Sequence, residues 1–468
     1  MAKRLAALLV LLAGCNSATV EPPSSASSGA STSSGGHGAT SGTSSTGGAS
    51  TATSTSGTSH GASSGTGTTT SSTSGASSTS TSTTGSSGST GANGDTYLPW
   101  EGGPSYYTQW SHGPSSDPSF FPIAVWLQSP SNAAAYQALG VNTFIGLWDG
   151  PTNQQLSDLT SANMPALCDQ DVDWASHLND PIVIGWTQQD EPDNAQALPD
   201  GGGYGPCVDP SVIQQIGSTY RSNDPTRPVF LNTGQGTAWA DYYGRGSACA
   251  GVDDYAQYAL GADILSFDIY PVNSTDAPVQ DKLEMVAAGV DHLRTASNNQ
   301  KAVWTWIETT GISDPSATPT PDQIRTEVWM ALVHGARGFG YFCHIFSPSF
   351  DETGLLDTQS SATAVTDIDA QVQQLAPVLN QPSLANGATV QSSDTSVPID
   401  LMAKRNQGTL YVFAVDMRPT AVDGTFTIRT PTSGTITVLG ENRTIALSGG
   451  TFTDHFDGYA VHLYQFGP

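Results

Sequence analysis

From Pro122 to Leu379 short unbroken apolar runs alternate with stretches of helical periodicity, and this alternation limits the possible folds more than any other feature. The apolar runs are Pro122–Leu127 (PIAVWL), Thr143–Leu147 (TFIGL), Met164–Cys168, Ile182–Trp186 (IVIGW), Pro228–Asn232, Asp263–Ile269 (DILSFDI), Ala302–Ile307 (AVWTWI) and Gly338–Cys343 (GFGYFC). A strand that is apolar at consecutive positions needs cover on both faces, which helices packed on a parallel sheet supply. Helices are predicted over Asn132–Leu139 and Asn153–Ala162, and near Val212–Ser222, Val279–Ala296, Asp322–His334 and Ala362–Leu379. Eight such strands in about 280 residues predict an α/β fold, a closed (β/α)₈ barrel. The alternative is an open doubly wound sheet, but no Gly-rich phosphate loop follows the first strand.

Different patterns flank this region. After residue 384 the helical periodicity stops, and Thr409–Val415, Gly424–Arg429, Gly434–Val438 and Tyr459–Phe466 read as strands separated by turn residues. A small all-β sandwich, more a structural cap than a sugar binder, is expected over 384–468. Residues 16–95 are almost wholly Ser, Thr, Gly and Ala, with too few apolar side chains to offset the entropy of ordering. They are expected to form a disordered linker with a span on the order of 50 Å. Residues 1–15 read as a leader: Lys3 and Arg4, then a short apolar core. Leu12-Ala13-Gly14-Cys15 resembles a bacterial lipobox, which implies a lipid on Cys15. Asn16 in place of Asp then implies the outer membrane or cell surface. The barrel domain is assigned to 96–383.

The chain has 15 basic and 41 acidic side chains, a net charge of −26. That balance excludes a nucleic-acid partner, which requires clustered Lys and Arg, and disfavours docking on anionic lipid. A neutral polysaccharide carries no such penalty. Membrane contact is expected only through the Cys15 lipid, and the chain is expected to be a monomer. Cys207 and Cys249 lie in Gly-rich, loop-like stretches and are the favoured disulfide pair, while Cys168 and Cys343 sit in strand-like runs as candidate buried thiols. No metal is implied: His334 and His344 have no ligand spacing, and the alternating Asp169, Asp171 and Asp173 lack the Gly and Glu of a calcium loop. No cofactor is implied either.

In a barrel of this kind the chemistry lies at the C-terminal ends of the strands. The fourth run ends in Gln189-Asp190-Glu191-Pro192 and the seventh in Trp306-Ile307-Glu308-Thr309. Their carboxylates are 308 − 191 = 117 residues apart, so a closed barrel would be needed to bring them to one substrate. The sixth run ends in Asp268-Ile269-Tyr270-Pro271. Trp126, Trp148, Asp149, Asn232, Phe342 and His344, with Asp169 and Gln170, end other runs and are candidates for binding sugar through ring faces and hydroxyl contacts.

Together these motifs resemble clan A glycoside hydrolases, retaining enzymes with a (β/α)₈ barrel, over roughly residues 120–380. The segment Val328–Pro348 is most similar to the bacterial β-galactosidase-like members. The resemblance implies cleavage of β-glycosidic bonds by double displacement, with Glu191 as acid/base, Glu308 as nucleophile and Tyr270 donating to Glu308. One carboxyl protonates the leaving oxygen while the other attacks the anomeric carbon, which predicts carboxyl groups about 5–5.5 Å apart. Asp190 departs from the clan, which has Asn there to bind the sugar 2-hydroxyl. That departure, and Phe342 where the clan has Trp, keep a second expectation open: a non-catalytic, carbohydrate-binding surface lipoprotein on a decayed barrel.

Overall fold

The computed structural model describes residues 94–99, 103–170, 173–199, 201–242, 244–246, 249, 251 and 253–467. The leader, Cys15, the linker up to residue 93 and Asp171 lie outside the described residues.

The expected barrel forms. Strands β1 (Ile123–Trp126), β2 (Thr143–Ile145), β3 (Ala166–Asp169), β4 (Val183–Thr187), β5 (Val229–Thr233), β6 (Ile264–Asp268), β7 (Ala302–Glu308) and β8 (Gly338–Phe342) pair in parallel and close β8 onto β1. Helices α1 (Pro104–Tyr107), α2 (Ala133–Leu139), α3 (Asn153–Ala162), α4 (Pro210–Asn223), α5 (Tyr255–Tyr258), α6 (Glu284–Ala296), α7 (Pro321–Val333), α8 (Gly354–Asp357) and α9 (Gln359–Leu379) lie between or beside them. Thr152 and Thr320 start α3 and α7 as capping boxes with Gln155 and Gln323, so orphan amides at both helix starts are satisfied. The helix expected near 279 begins at Glu284.

Side chains alternate between two cores. Val303, Ile307, Phe339 and Tyr341 point outward to the helices, while Ala302, Trp304 and Trp306 fill the lumen with Leu167, Ile184, Phe230 and Ile264. The lumen accepts two indoles because β8 carries glycines beside them. A Cβ at Gly338 would lie 2.5 Å from Trp304, and one at Gly340 2.3 Å from Trp306. From Gly338 to Tyr341 the run is therefore a packing pattern, with small residues inside and large ones outside, and Phe342 then joins the lumen cluster.

After the barrel, β9 (Ala388–Ser392), β10 (Ile399–Asn406), β11 (Thr409–Asp416), β12 (Val422–Ile428), β13 (Gly434–Val438), β14 (Arg443–Leu447), β15 (Thr451–Phe456) and β16 (Val461–Phe466) form two antiparallel sheets, ordered β10-β11-β16-β13-β14 and β15-β12-β9. One face of the larger sheet joins the outer barrel core through Met402, Phe413, Val415 and Leu463, with Trp329 of α7 against Phe413 at 5.2 Å. Barrel and sheets belong to one compact unit.

Candidate active site

Three strand ends place acids together. β4 runs on into Asp190, Glu191 and Asp193, and Glu191 continues the β5 ladder by donating its N–H to Asn232 O at 3.0 Å. That bond is made with Glu191 in the left-handed region, φ 43°, which a non-glycine residue adopts only when its surroundings impose it. The same bend turns its side chain inward over Gly234. A Cβ on Gly234 would lie 3.0 Å from Glu191 Oε1. The Asp268 side chain follows Ile264 and Ser266 on the lumen side of β6, and its carboxyl lies within hydrogen-bonding reach of Glu191. Arg245 donates to Glu191 Oε2 at 2.6 Å, and Asn194 Nδ2 to the same oxygen at 3.3 Å. Asp268 Oδ1 is buried with no hydrogen-bond partner among the described residues.

The electrostatics follow from this crowding. Burial, then the charges of Glu191, Asp190 and Asp193, hold Asp268 well above the usual carboxylate range. Burial and then Glu191 push Asp190 up to about 7, against a hydrogen bond from Asn232. Burial also raises Asp193 to about 6, although Gly234 N and Tyr255 donate to it. Burial opposes the charge on Arg245, but Glu191 first and then other acids outweigh it and raise its pKa. Glu191 is thus ion-paired to Arg245, beside an Asp268 whose burial and acidic neighbours favour its protonated form.

Glu308, expected to flank the sugar opposite Glu191, is held by donors from another part of the chain. Although its strand position continues the lumen-facing series, its carboxylate turns to the β6–α6 connection. Oε1 accepts from Val272 N at 2.6 Å, and Oε2 from Asn273 N at 2.9 Å and Asn273 Nδ2 at 2.5 Å. Its other neighbour is Glu327 of α7, in the helical layer. Glu308 is 0% exposed. Three donors from one connection stabilise a buried carboxylate better than the indole-filled lumen would. Burial still raises Glu308 to about 7 and Glu327 well above its usual range.

The remaining candidates divide into floor and rim. Asn232 donates to Asp190 Oδ1 at 2.9 Å and accepts from Ser266 Oγ at 2.6 Å and Trp306 Nε1 at 2.9 Å, which joins β4 to β7 beneath the acids. Trp306 is therefore a buried floor, packed edge-on against the half-buried Trp126 at 5.0 Å, and not an open platform. Tyr270 packs on Phe342 at 5.0 Å. Trp148 is half-buried, its Nε1 donating to Glu352 at 2.6 Å, and Asp149 is exposed. His344 is 0% exposed, bonded through Nε2 to Leu127 O at 3.0 Å, while its Nδ1 has no hydrogen-bond partner among the described residues. Burial lowers it to about 4. Asp169 accepts from Thr187 at 2.7 Å and Gln170 from Asn223 at 2.7 Å, both within the framework. Cys207 and Cys249 are adjacent but unbonded, with Cys207 N donating to Cys249 Sγ at 2.6 Å, while Cys168 and Cys343 are buried thiols.

Sequence reasoning missed Arg245, Gly234, Glu327 and Glu352. Arg245 had one available signal: it is a cation between two glycines in a strongly acidic chain.

Two predictions follow from the geometry. Gly234 has φ −86°, so Ala is not strained there, yet its Cβ must displace the Glu191 carboxylate. Gly234→Ala is expected to lower kcat about tenfold or more with a nearly unchanged melting temperature; unchanged kinetics on a measured substrate would contradict this placement. The second concerns pH. Asp190, Asp193 and Glu308 have raised folded pKa values, as do Asp268 and Glu327. From about pH 4 to 7 the folded chain then binds more protons than the unfolded chain. Their stabilisation is complete below about pH 4 and is lost as pH rises through 6–7. His344 opposes this between its folded value of about 4 and its ordinary 6.5, but the carboxyls outnumber it. The melting temperature is expected to fall by several degrees from pH 5.5 to pH 8; calorimetry showing a rise would refute the assignment.

No family model matches the chain, and no curated protein matches it. Solved structures with a related backbone include the α-amylase of Geobacillus thermoleovorans (10% identity, 74% of this chain and 98% of that one, TM-score 0.47). An endoxylanase of Clostridium papyrosolvens matches at 12% identity over 74% of this chain and 96% of that one (TM-score 0.42). The α-galactosidase I of Mortierella vinacea matches at 8% over 75% and 97% (TM-score 0.44). The likeness is one of backbone shape alone, and the barrel itself is established by the strand pairing of this chain.

Proposed function

We propose that the chain is a glycoside hydrolase acting on a neutral oligo- or polysaccharide, with Glu191 and Asp268 as its working carboxyls. The observation that carries this reading is the meeting of those two groups, from β4 and β6, at the C-terminal end of the barrel. One is ion-paired to Arg245, and burial with acidic neighbours favours a proton on the other. Glycosidic cleavage needs that division: a proton for the leaving oxygen and a carboxylate for the developing positive charge at the anomeric carbon. Asp268 is then the acid and Glu191 the nucleophile, a reversal of the role expected for Glu191. Double displacement needs carboxyls about 5–5.5 Å apart, and direct inversion a wider gap that also holds a water. Sugar entry has to part the pair, with Asp190 accepting from a ring hydroxyl. β-Linkage specificity rests on the sequence resemblance, as does anchoring on the cell envelope through the Cys15 lipid, with the enzyme acting as a monomer.

The test is release of reducing ends from a panel of neutral α- and β-linked oligosaccharides, with NMR of the first-formed anomer. Product with retained configuration supports the reading, while inversion removes Glu191 as nucleophile. A second reading, carbohydrate binding without turnover, is favoured by the Arg245 clamp, which leaves Glu191 5% exposed. Calorimetric binding of a glycan that is never cleaved would select it.

A further inference from the structure

We propose that Cys207 and Cys249 are a modification site: a disulfide between them latches the segment carrying Arg245 against Glu191. The thiols are held together by the backbone, since Cys207 N donates to Cys249 Sγ at 2.6 Å. Both residues are partly exposed, so an oxidant can reach them. Each side of the pair is fixed to the acid cluster. Val208, next to Cys207, donates its N–H to Pro192 O at 2.8 Å, directly after Glu191, and its own carbonyl accepts from Tyr258 at 2.6 Å. Cys249 belongs to the other side, where Gly251 N closes onto Ala240 O at 3.0 Å. Inside that closure Tyr242 and Arg245 reach Asn194, and Arg245 makes its 2.6 Å bond to Glu191.

Among the described residues, this segment meets Asn194 and Glu191 through Tyr242 and Arg245, and Gly246 lies beside Ala195. With the disulfide, a covalent link between residues 42 positions apart joins the two flanks of Glu191 and removes conformations in which Arg245 swings away. The reaction balances with a low-molecular-weight disulfide: two protein thiols and one oxidised glutathione give one protein disulfide and two reduced glutathiones. The buried Cys168 and Cys343 take no part. The clamp on Glu191 then depends on redox state, tight when oxidised and released more readily when reduced.

The latch is testable without a substrate, so its failure is separate from failure of the hydrolase reading. The full chain is incubated with oxidised glutathione or with dithiothreitol, and its thiols are counted by mass after alkylation in denaturant. Each form is then exposed to trypsin, which cuts after Arg245 once that side chain leaves its site. The expected result is loss of two thiols, mapped to Cys207 and Cys249, and cleavage after Arg245 slowed about tenfold or more in the oxidised form. Cys249→Ser should cleave at the same rate under both conditions. Both thiols remaining alkylatable after oxidation, or a disulfide that leaves cleavage unchanged, would overturn the proposal.

Discussion

Asp268→Asn is expected to lower kcat at least about 10³-fold while leaving the fold intact, because it removes the proposed proton donor and adds no bulk. Glu191→Gln should lose as much, since an amide cannot attack the anomeric carbon and no longer pairs with Arg245. Glu308→Gln separates the two candidate pairs. Its carboxylate accepts three hydrogen bonds from Val272 and Asn273. An amide in its place faces an N–H with an N–H, at a cost of about 1–3 kcal/mol in stability, with kcat kept within about tenfold. Asp268→Asn should also remove the alkaline limb of the kcat profile, which reports loss of the acid's proton. The opposite pattern, an inactive Glu308→Gln of normal stability beside an active Asp268→Asn, would restore the Glu191–Glu308 pair that the sequence suggests.

The largest stability effect is expected at Arg227. Its guanidinium is fully buried and paired with Asp224 at 2.8 Å, and it donates to Val183 O at 2.6 Å, Asp180 O at 2.9 Å and Leu178 O at 3.1 Å. It also stands 5.6 Å over the Trp186 ring, whose Nε1 donates to Asp224 at 2.9 Å. Arg227→Met leaves a buried carboxylate without its cation and several carbonyls without donors. Breaking such a pair costs about 3–5 kcal/mol, or several degrees of melting temperature. Arg227→Met with Asp224→Asn should recover part of the loss, because no uncompensated charge remains. Equal destabilisation in the single and double variants would mean that the carbonyl contacts, and not the ion pair, carry the energy. This network ties the start of β4 to the start of β5, the strand against which Glu191 is registered.

Much of the framework was legible because it depends on periodicity. Each of the eight apolar runs became a barrel strand, and Thr152 and Thr320 capped their helices through neighbours three residues away. The sandwich was legible only in part. β9 alternates half-buried and exposed residues over five positions and β14 over four before the buried Leu447, too weak a pattern to separate from loop. The site was legible as a set of strand-end residues but not as an arrangement. Asp190, Glu191, Asn232 and Asp268 converge, and Glu308 is held by the β6–α6 connection.

The sequence alone determined the class of fold, the strands that would carry polar ends to one face of the barrel, and the acidity of that face. These follow from near-neighbour patterns of apolar and polar residues. Which carboxyl would meet Glu191 was decided only by the tertiary structure. A carboxylate goes where donors are, and the donors for Glu308 are amides of the β6–α6 connection, 308 − 272 = 36 residues away from the nearest of them. Arg245 likewise reaches Glu191 across 54 residues. Such partners are set by distances in space, and no local pattern in the chain encodes them.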